Sequence, residues 1–105
     1  MHSEKSFGET IRELRTERHL TLREVAEYLK IDTSMLGKIE KNNRKPTKQI
    51  IKDISNLFNI SEDVLTVAHL SDTVAYTILE EELATEVLKV AEEKINYHNK
   101  TKANK

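Results

Sequence analysis

The feature that most limits what this chain can become is the spacing of residues 21–40. It reads Thr21-x-x-Glu24-Val25-Ala26-x-x-Leu29-x-Ile31-x-x-x-x-Leu36-x-x-Ile39-Glu40. A hydroxyl residue followed three positions on by glutamate is the mark of a helix start, because each side chain reaches the other's backbone N–H. Aliphatic residues then return every three or four positions, the period of a helix with one buried face. Around Lys30–Ile31 the pattern stops and restarts behind Asp32, a plausible N-cap. Two short helices joined by a tight turn follow, with the small Ala26 where they would cross.

The same reading extends along the chain. Ser6 and Glu9 open a first helix that carries Ile11 and Leu14 and reaches Arg18. Asn42–Asn43–Arg44–Lys45–Pro46 reads as a loop, and Thr47 caps a fourth helix with Ile50, Ile51, Ile54, Leu57 and Phe58. Ser61 starts a fifth helix whose apolar pattern continues to about Leu79, with Ser71-Asp72-Thr73 as a point where it can break or kink. A sixth is expected over residues 80–97, with Glu80-Glu81-Glu82 as favourable charges in its first turn. Residues 98–105 are expected to fray. With 2 Gly and 1 Pro among 105 residues there is little punctuation for hairpins, and no segment of useful length has the strand period. The fold class is therefore all-α.

Several function classes drop out. With no cysteine, neither a disulfide framework nor a thiolate metal site can form. His2, His19, His69 and His98 have no ligand spacing, so no metal is expected. No nucleophile–base pair is visible, no Gly-rich phosphate loop occurs, and Tyr28, Tyr76 and Tyr97 make no stacking platform for single strands. No catalytic residue and no cofactor is expected. No apolar run approaches the roughly 18 residues that span a bilayer, and the polar first ten residues lack the core of a signal peptide. A cytoplasmic protein without a membrane partner is expected.

Charge is divided unevenly. Residues 1–52 carry 12 Lys+Arg against 8 Asp+Glu, whereas residues 53–99 carry 2 against 10. A basic front and an acidic back fit a chain that presents one pole to a polyanion, although a chance split with a solvated acidic helix fits equally. Projected at about 100° per residue, the third helix separates Met35, Leu36 and Ile39 from Thr33, Ser34, Gly37, Lys38 and Lys41. Hydroxyls and lysines on an outward face suit base edges and phosphates, and they also suit plain solvent. The glycine is less ordinary, since it costs a helix about 1 kcal/mol relative to alanine. A surface pressed into a groove is one reason to carry it.

The arrangement is a helix-turn-helix pattern, and over residues 7–65, above all 21–46, the chain resembles the Cro/repressor-type (XRE) helix-turn-helix family of regulators. That resemblance implies a five-helix, lambda-repressor-like DNA-binding domain reading an operator in the major groove of double-stranded DNA. Thr33, Ser34 and Lys38 match base-contacting positions, with Gly37 near the groove floor. Thr21 and Arg23 match phosphate-facing positions; Lys41, Asn42, Asn43, Arg44 and Lys45 match the segment that grips the backbone. Glu40 matches a glutamate that pairs with an arginine of the first helix, here Arg15. Two departures stand out: Leu22 replaces the usual Gln, and Lys30 stands where Gly usually makes the turn.

On the sixth helix the apolar residues cover about half the cylinder, wider than the stripe of a little over 100° that one domain needs. Two partners, its own domain and a second copy, account for that width, as does a larger internal core. An added carboxyl-terminal dimerisation helix is expected, with Leu79, Leu83, Val87, Val90 and Ala91 at the interface of a homodimer. The expected organisation is a DNA-binding domain over residues 1–70, a helical dimerisation extension over 71–98 and a disordered tail over 99–105. The function that follows is a DNA-binding regulator, a repressor on an inverted-repeat operator, similar to the controller proteins of restriction–modification systems. The alternative is an antitoxin-like module whose last helix holds a partner protein.

Overall fold

A computed structural model describes residues 4–103, and helices are its regular elements: α1 (Phe7–Glu17), α2 (Leu22–Leu29), α3 (Thr33–Glu40), α4 (Lys48–Phe58), α5 (Glu62–Ile78) and α6 (Ala84–Ala103). No strand occurs among the described residues. The chain divides into two compact units, Met1–Asp72 and Thr73–Lys105.

In the first unit α3 packs against both α1 and α2, and α2 also meets α4. The residues the helical period assigns inward are the ones that lose water: Phe7, Ile11, Val25, Ala26, Leu29, Leu36, Ile39, Ile50, Ile51, Ile54, Phe58 and Leu65 form one buried cluster. Ala26 is small because α2 is crossed there. Leu65 anchors the start of α5 in the same core.

Helix ends are set by side chains. Ser6 accepts from the Glu9 N–H, Thr47 from the Ile50 N–H, and Thr21 with Glu24 makes the full reciprocal box. The Ser6–Glu9 pair is only half of the expected box, because the Glu9 carboxylate takes the Ser6 hydroxyl instead of its backbone N–H. Asp32 has the extended conformation of an N-cap yet makes no side-chain cap bond. Among the described residues, four other than glycine hold the left-handed conformation: His19, Lys30, Asn42 and Asn59. All four follow a helix and turn the chain toward the next element; for Lys30 and His19 this costs roughly 1 kcal/mol each.

Three boundaries differ from the sequence reading. α5 runs without a break through Ser71-Asp72-Thr73, where the Ser71 hydroxyl bonds back to the Ala68 carbonyl. The glutamates at 80–82 precede α6 instead of forming its first turn. There they follow the negative end of α5, which further helix would worsen, and lie ahead of the positive end of α6. Leu79 accordingly sits in that turn and not on α6. Finally, α6 continues to Ala103, past the expected end at Tyr97 and into the segment expected as tail. No Gly or Pro interrupts it, Lys100 and Lys102 suit its carboxyl end, and the Thr101 hydroxyl bonds the Tyr97 carbonyl. Residues 104 and 105 of the expected tail lie outside the described residues.

Candidate nucleic-acid interface

The turn between α2 and α3 sets how α3 is presented. Lys30 caps α2 at φ 59° and ψ 43°, its N–H shared between the Ala26 and Glu27 carbonyls, and the Ile31 N–H bonds Ala26 at 3.0 Å. These bonds satisfy the last carbonyls of α2 and turn the chain sharply. At the other end of α2, the Thr21 backbone N–H and hydroxyl hold the Glu24 carboxyl below its ordinary value.

α3 is fixed from behind. Leu36 and Ile39 are buried, and the Glu40 carboxylate takes two bonds from Arg15, at 2.8 Å from Nε and 3.0 Å from Nη2. The third guanidinium nitrogen, Nη1, donates to the Leu20 carbonyl in the link before α2. The pair is little exposed on either side, and the Glu40 bond raises the Arg15 pKa further. Arg15 thus ties α1, the α1–α2 link and the end of α3 together, as the family resemblance implied.

The outward side of α3 carries Thr33, Ser34 and Lys38, all exposed, and a half-buried Gly37. A methyl group built on Gly37 would meet nothing within 4 Å. Internal packing therefore does not require the glycine, and the space above it is open. Lys41, Asn43, Arg44 and Lys45 are exposed beyond the end of the helix. Among the described residues none of Lys38, Lys41, Arg44 and Lys45 is in an ion pair. Thr21 and Arg23 lie at the start of α2; the Thr21 hydroxyl is used as the cap, and Arg23 approaches Glu27 at 3.5 Å on an exposed face.

Asn42 has a structural part beyond the contact expected of it. Its side-chain oxygen accepts from the Gly8 N–H at 3.0 Å and its amide donates to the Ser6 hydroxyl at 2.8 Å. The side-chain oxygen and one amide hydrogen are committed to the amino end of α1, while the residue stays exposed and its second amide hydrogen points to no partner among these bonds. The left-handed backbone at Asn42 is what aims the side chain toward α1.

Sequence reasoning missed three supports of this surface. At Gly8 a methyl group would lie 2.4 Å from the Glu40 carbonyl oxygen and 2.6 Å from that of Ile39. Backbone thus meets backbone where α1 crosses the end of α3. Asp72 accepts the Phe7 N–H at 2.6 Å and completes the first turn of α1. Arg18 donates to the Phe58 carbonyl at 2.9 Å and lies 5.1 Å from the Phe58 ring centre, closing the end of α4. One signal was available, a glycine in the first turn of a helix, where nothing local asks for it.

A buried, cross-braced pair of short helices with a polar, cationic outer face defines a helix-turn-helix head. The helix-turn-helix family matches residues 11–65, which takes in α2, the turn and α3, and the chain belongs to this family. It is 41% identical over 59 residues to the uncharacterized HTH-type transcriptional regulator YazB of Bacillus subtilis, a match covering 56% of this chain and 86% of YazB. It is 35% identical over 60 residues to the HTH-type transcriptional regulator ImmR of the same organism, covering 57% of this chain and 47% of ImmR. Among solved structures, the clp gene regulator ClgR from Corynebacterium glutamicum superposes with a TM-score of 0.55 at 20% identity, over 87% of this chain and 95% of that one. At that identity ClgR bears on the fold alone. No helix among the described residues is long and apolar enough to cross a membrane.

Proposed function

We propose that the chain is a cytoplasmic transcriptional regulator that binds an inverted-repeat operator in duplex DNA as a homodimer, and represses by occupying it. The observation that carries this reading is the outer face of α3. Thr33, Ser34 and Lys38 stand exposed around the open space at Gly37, on a helix braced from behind by Arg15 and Glu40. Lysine and hydroxyl side chains match base-edge acceptors and phosphates, and the bare Gly37 lets the helix axis approach the groove floor. Lys41, Asn43, Arg44 and Lys45, with Thr21 and Arg23 at the start of α2, supply backbone contacts. Asn42 joins that set through its second amide hydrogen while its other bonds brace α1. Two copies are required because one head offers three or four side chains to the bases, too few to pick one site out of a genome. A twofold axis places two recognition helices about 34 Å apart, on successive major-groove faces.

Selection from a random duplex pool tests the reading, with an enriched inverted repeat as the expected result. Lys38→Ala is expected to relax base preference. Arg44→Ala should weaken all sequences alike and lower the salt slope by about one. If neither changes affinity by more than about twofold, the interface lies elsewhere. A second reading, a module that holds another protein, is favoured by the apolar residues left exposed along α5 and α6. Sedimentation of the purified chain separates the two, because a stable dimer already accounts for that surface.

A further inference from the structure

In α6 and the residue before it, Leu83, Val87, Val90, Lys94 and Tyr97 recur at intervals of four and three, the spacing of a coiled-coil seam. Leu83, Glu86, Val87, Val90, Ala91 and Lys94 line a shallow groove along that side. Its aliphatic side chains are 43–61% exposed at Leu83, Val87 and Val90. The two charged residues of the groove lie four positions on either side of Val90.

That symmetry selects an occupant. Resting on the homodimer reading above, we propose that α6 of a second copy docks in this groove in antiparallel orientation. The twofold axis passes near Val90, and Glu86 of each copy lies beside the partner's Lys94. A parallel pairing would put both Lys94 ammonium groups in one layer of the seam, a like-charge contact in a surface being dried. An antiparallel pairing separates them and gives each lysine a carboxylate. Glu93 lies about 100° around the helix from Lys94, toward the solvated side, and is the weaker neighbour. Ala91, beside the seam, lets the two axes come close. The groove is therefore complementary to itself in one orientation only.

The chain has no cysteine, so single labelling sites can be introduced cleanly. Nitroxides on Thr101→Cys should lie roughly 33 Å apart along the dimer axis in an antiparallel pair, at 1.5 Å of rise per residue. A mixture of labelled Glu82→Cys and Thr101→Cys chains should give a short distance, under about 20 Å on the same rise. Glu86→Lys should weaken dimerisation at least tenfold, and adding Lys94→Glu should bring it back to within about threefold of the parent. A sedimenting dimer with the two distances reversed overturns the antiparallel pairing and leaves the homodimer standing. A monomer in sedimentation overturns both, and the groove then belongs to a different protein.

Discussion

The two units of the chain handle their apolar residues in opposite ways. In the first, twelve hydrophobic residues between Phe7 and Leu65 are buried in a single cluster. In the second, from residue 73 to residue 102, not one is buried, although Val74, Leu79, Leu83, Leu88, Ile95 and Tyr97 are among them. Apolar content does not separate the regions; connectivity does. Five helix segments with short turns can enclose a core, because each supplies one face. The second unit, the end of α5 and the long α6 joined by the turn at residues 79–83, has too few faces to enclose a core of its own. The first unit carries what it needs to stay folded, and the second leaves apolar side chains exposed along its length, the kind of surface that marks an interaction site.

Five variants break or sharpen that contrast, taken from the largest expected effect to the smallest. Replacing Val87 and Val90 together by Asp should raise the dimer dissociation constant by about three orders of magnitude. Two buried side chains worth about 1.5 kcal/mol each are lost, and charges are placed in the seam. The thermal unfolding of the head should not move; a coupled loss in both units would show that they are not independent.

Glu40→Ala acts on the other side of the contrast. It leaves the Arg15 guanidinium without its carboxylate in a largely buried site, and should cost the head about 3 kcal/mol in chemical denaturation. Dimerisation should be untouched. Gly8→Ala should be similarly harmful, about 2–3 kcal/mol, because the added methyl meets rigid carbonyl oxygens.

Gly37→Ala separates stability from binding. With nothing near the new methyl, the free protein should gain up to about 1 kcal/mol from helix propensity. Operator affinity should fall at least tenfold, measured by gel shift or anisotropy. A stabilised variant that binds DNA as well as the parent would remove Gly37 from the interface.

The smallest effect is a pH dependence. Burial pushes the His69 imidazole below its ordinary 6.5, with Lys45 adding to the shift and Asp72 opposing it. As pH falls through 6.5 the unfolded chain takes up the proton first, so stability declines with acid until the folded imidazole titrates too. His69→Gln should remove that part of the decline between pH 7 and pH 5 in urea melts, while dimerisation over the same range is unchanged.

Much of the head was legible without coordinates, and the reason is local. Thr21 and Glu24 cap α2 through atoms three residues apart, and Val25, Leu29, Leu36 and Ile39 declare their buried face by period alone. The outward set Thr33, Ser34, Gly37 and Lys38 follows from the same projection. The bracing bonds of Asn42 were not legible because its partners, Ser6 and Gly8, are more than thirty residues away. A polar residue in a cationic loop reads as a phosphate contact, and only the fold, by bringing α1 beside it, adds the second task. Gly8 escaped notice because its requirement is the backbone of α3, which no pattern around residue 8 records. At the α5–α6 turn, propensity failed: three glutamates are good helix formers, and the dipoles of two helices together decide that they lie between them.

Sequence alone determined, then, that the chain is helical, where its first four helices start, which faces of them are apolar, and that residues 21–40 form two short helices about a turn. All of these depend on interactions within about four residues, which periodicity and capping report directly. Only the tertiary structure decided that Arg15 and Glu40 lock α3 in place, that Asn42 and Asp72 hold the start of α1, that Gly8 is a crossing point while Gly37 opens on empty space, and that no apolar residue between Thr73 and Lys102 is buried. Those are contacts between residues far apart in the chain, and one sequence records them only as side chains whose purpose the local pattern does not explain.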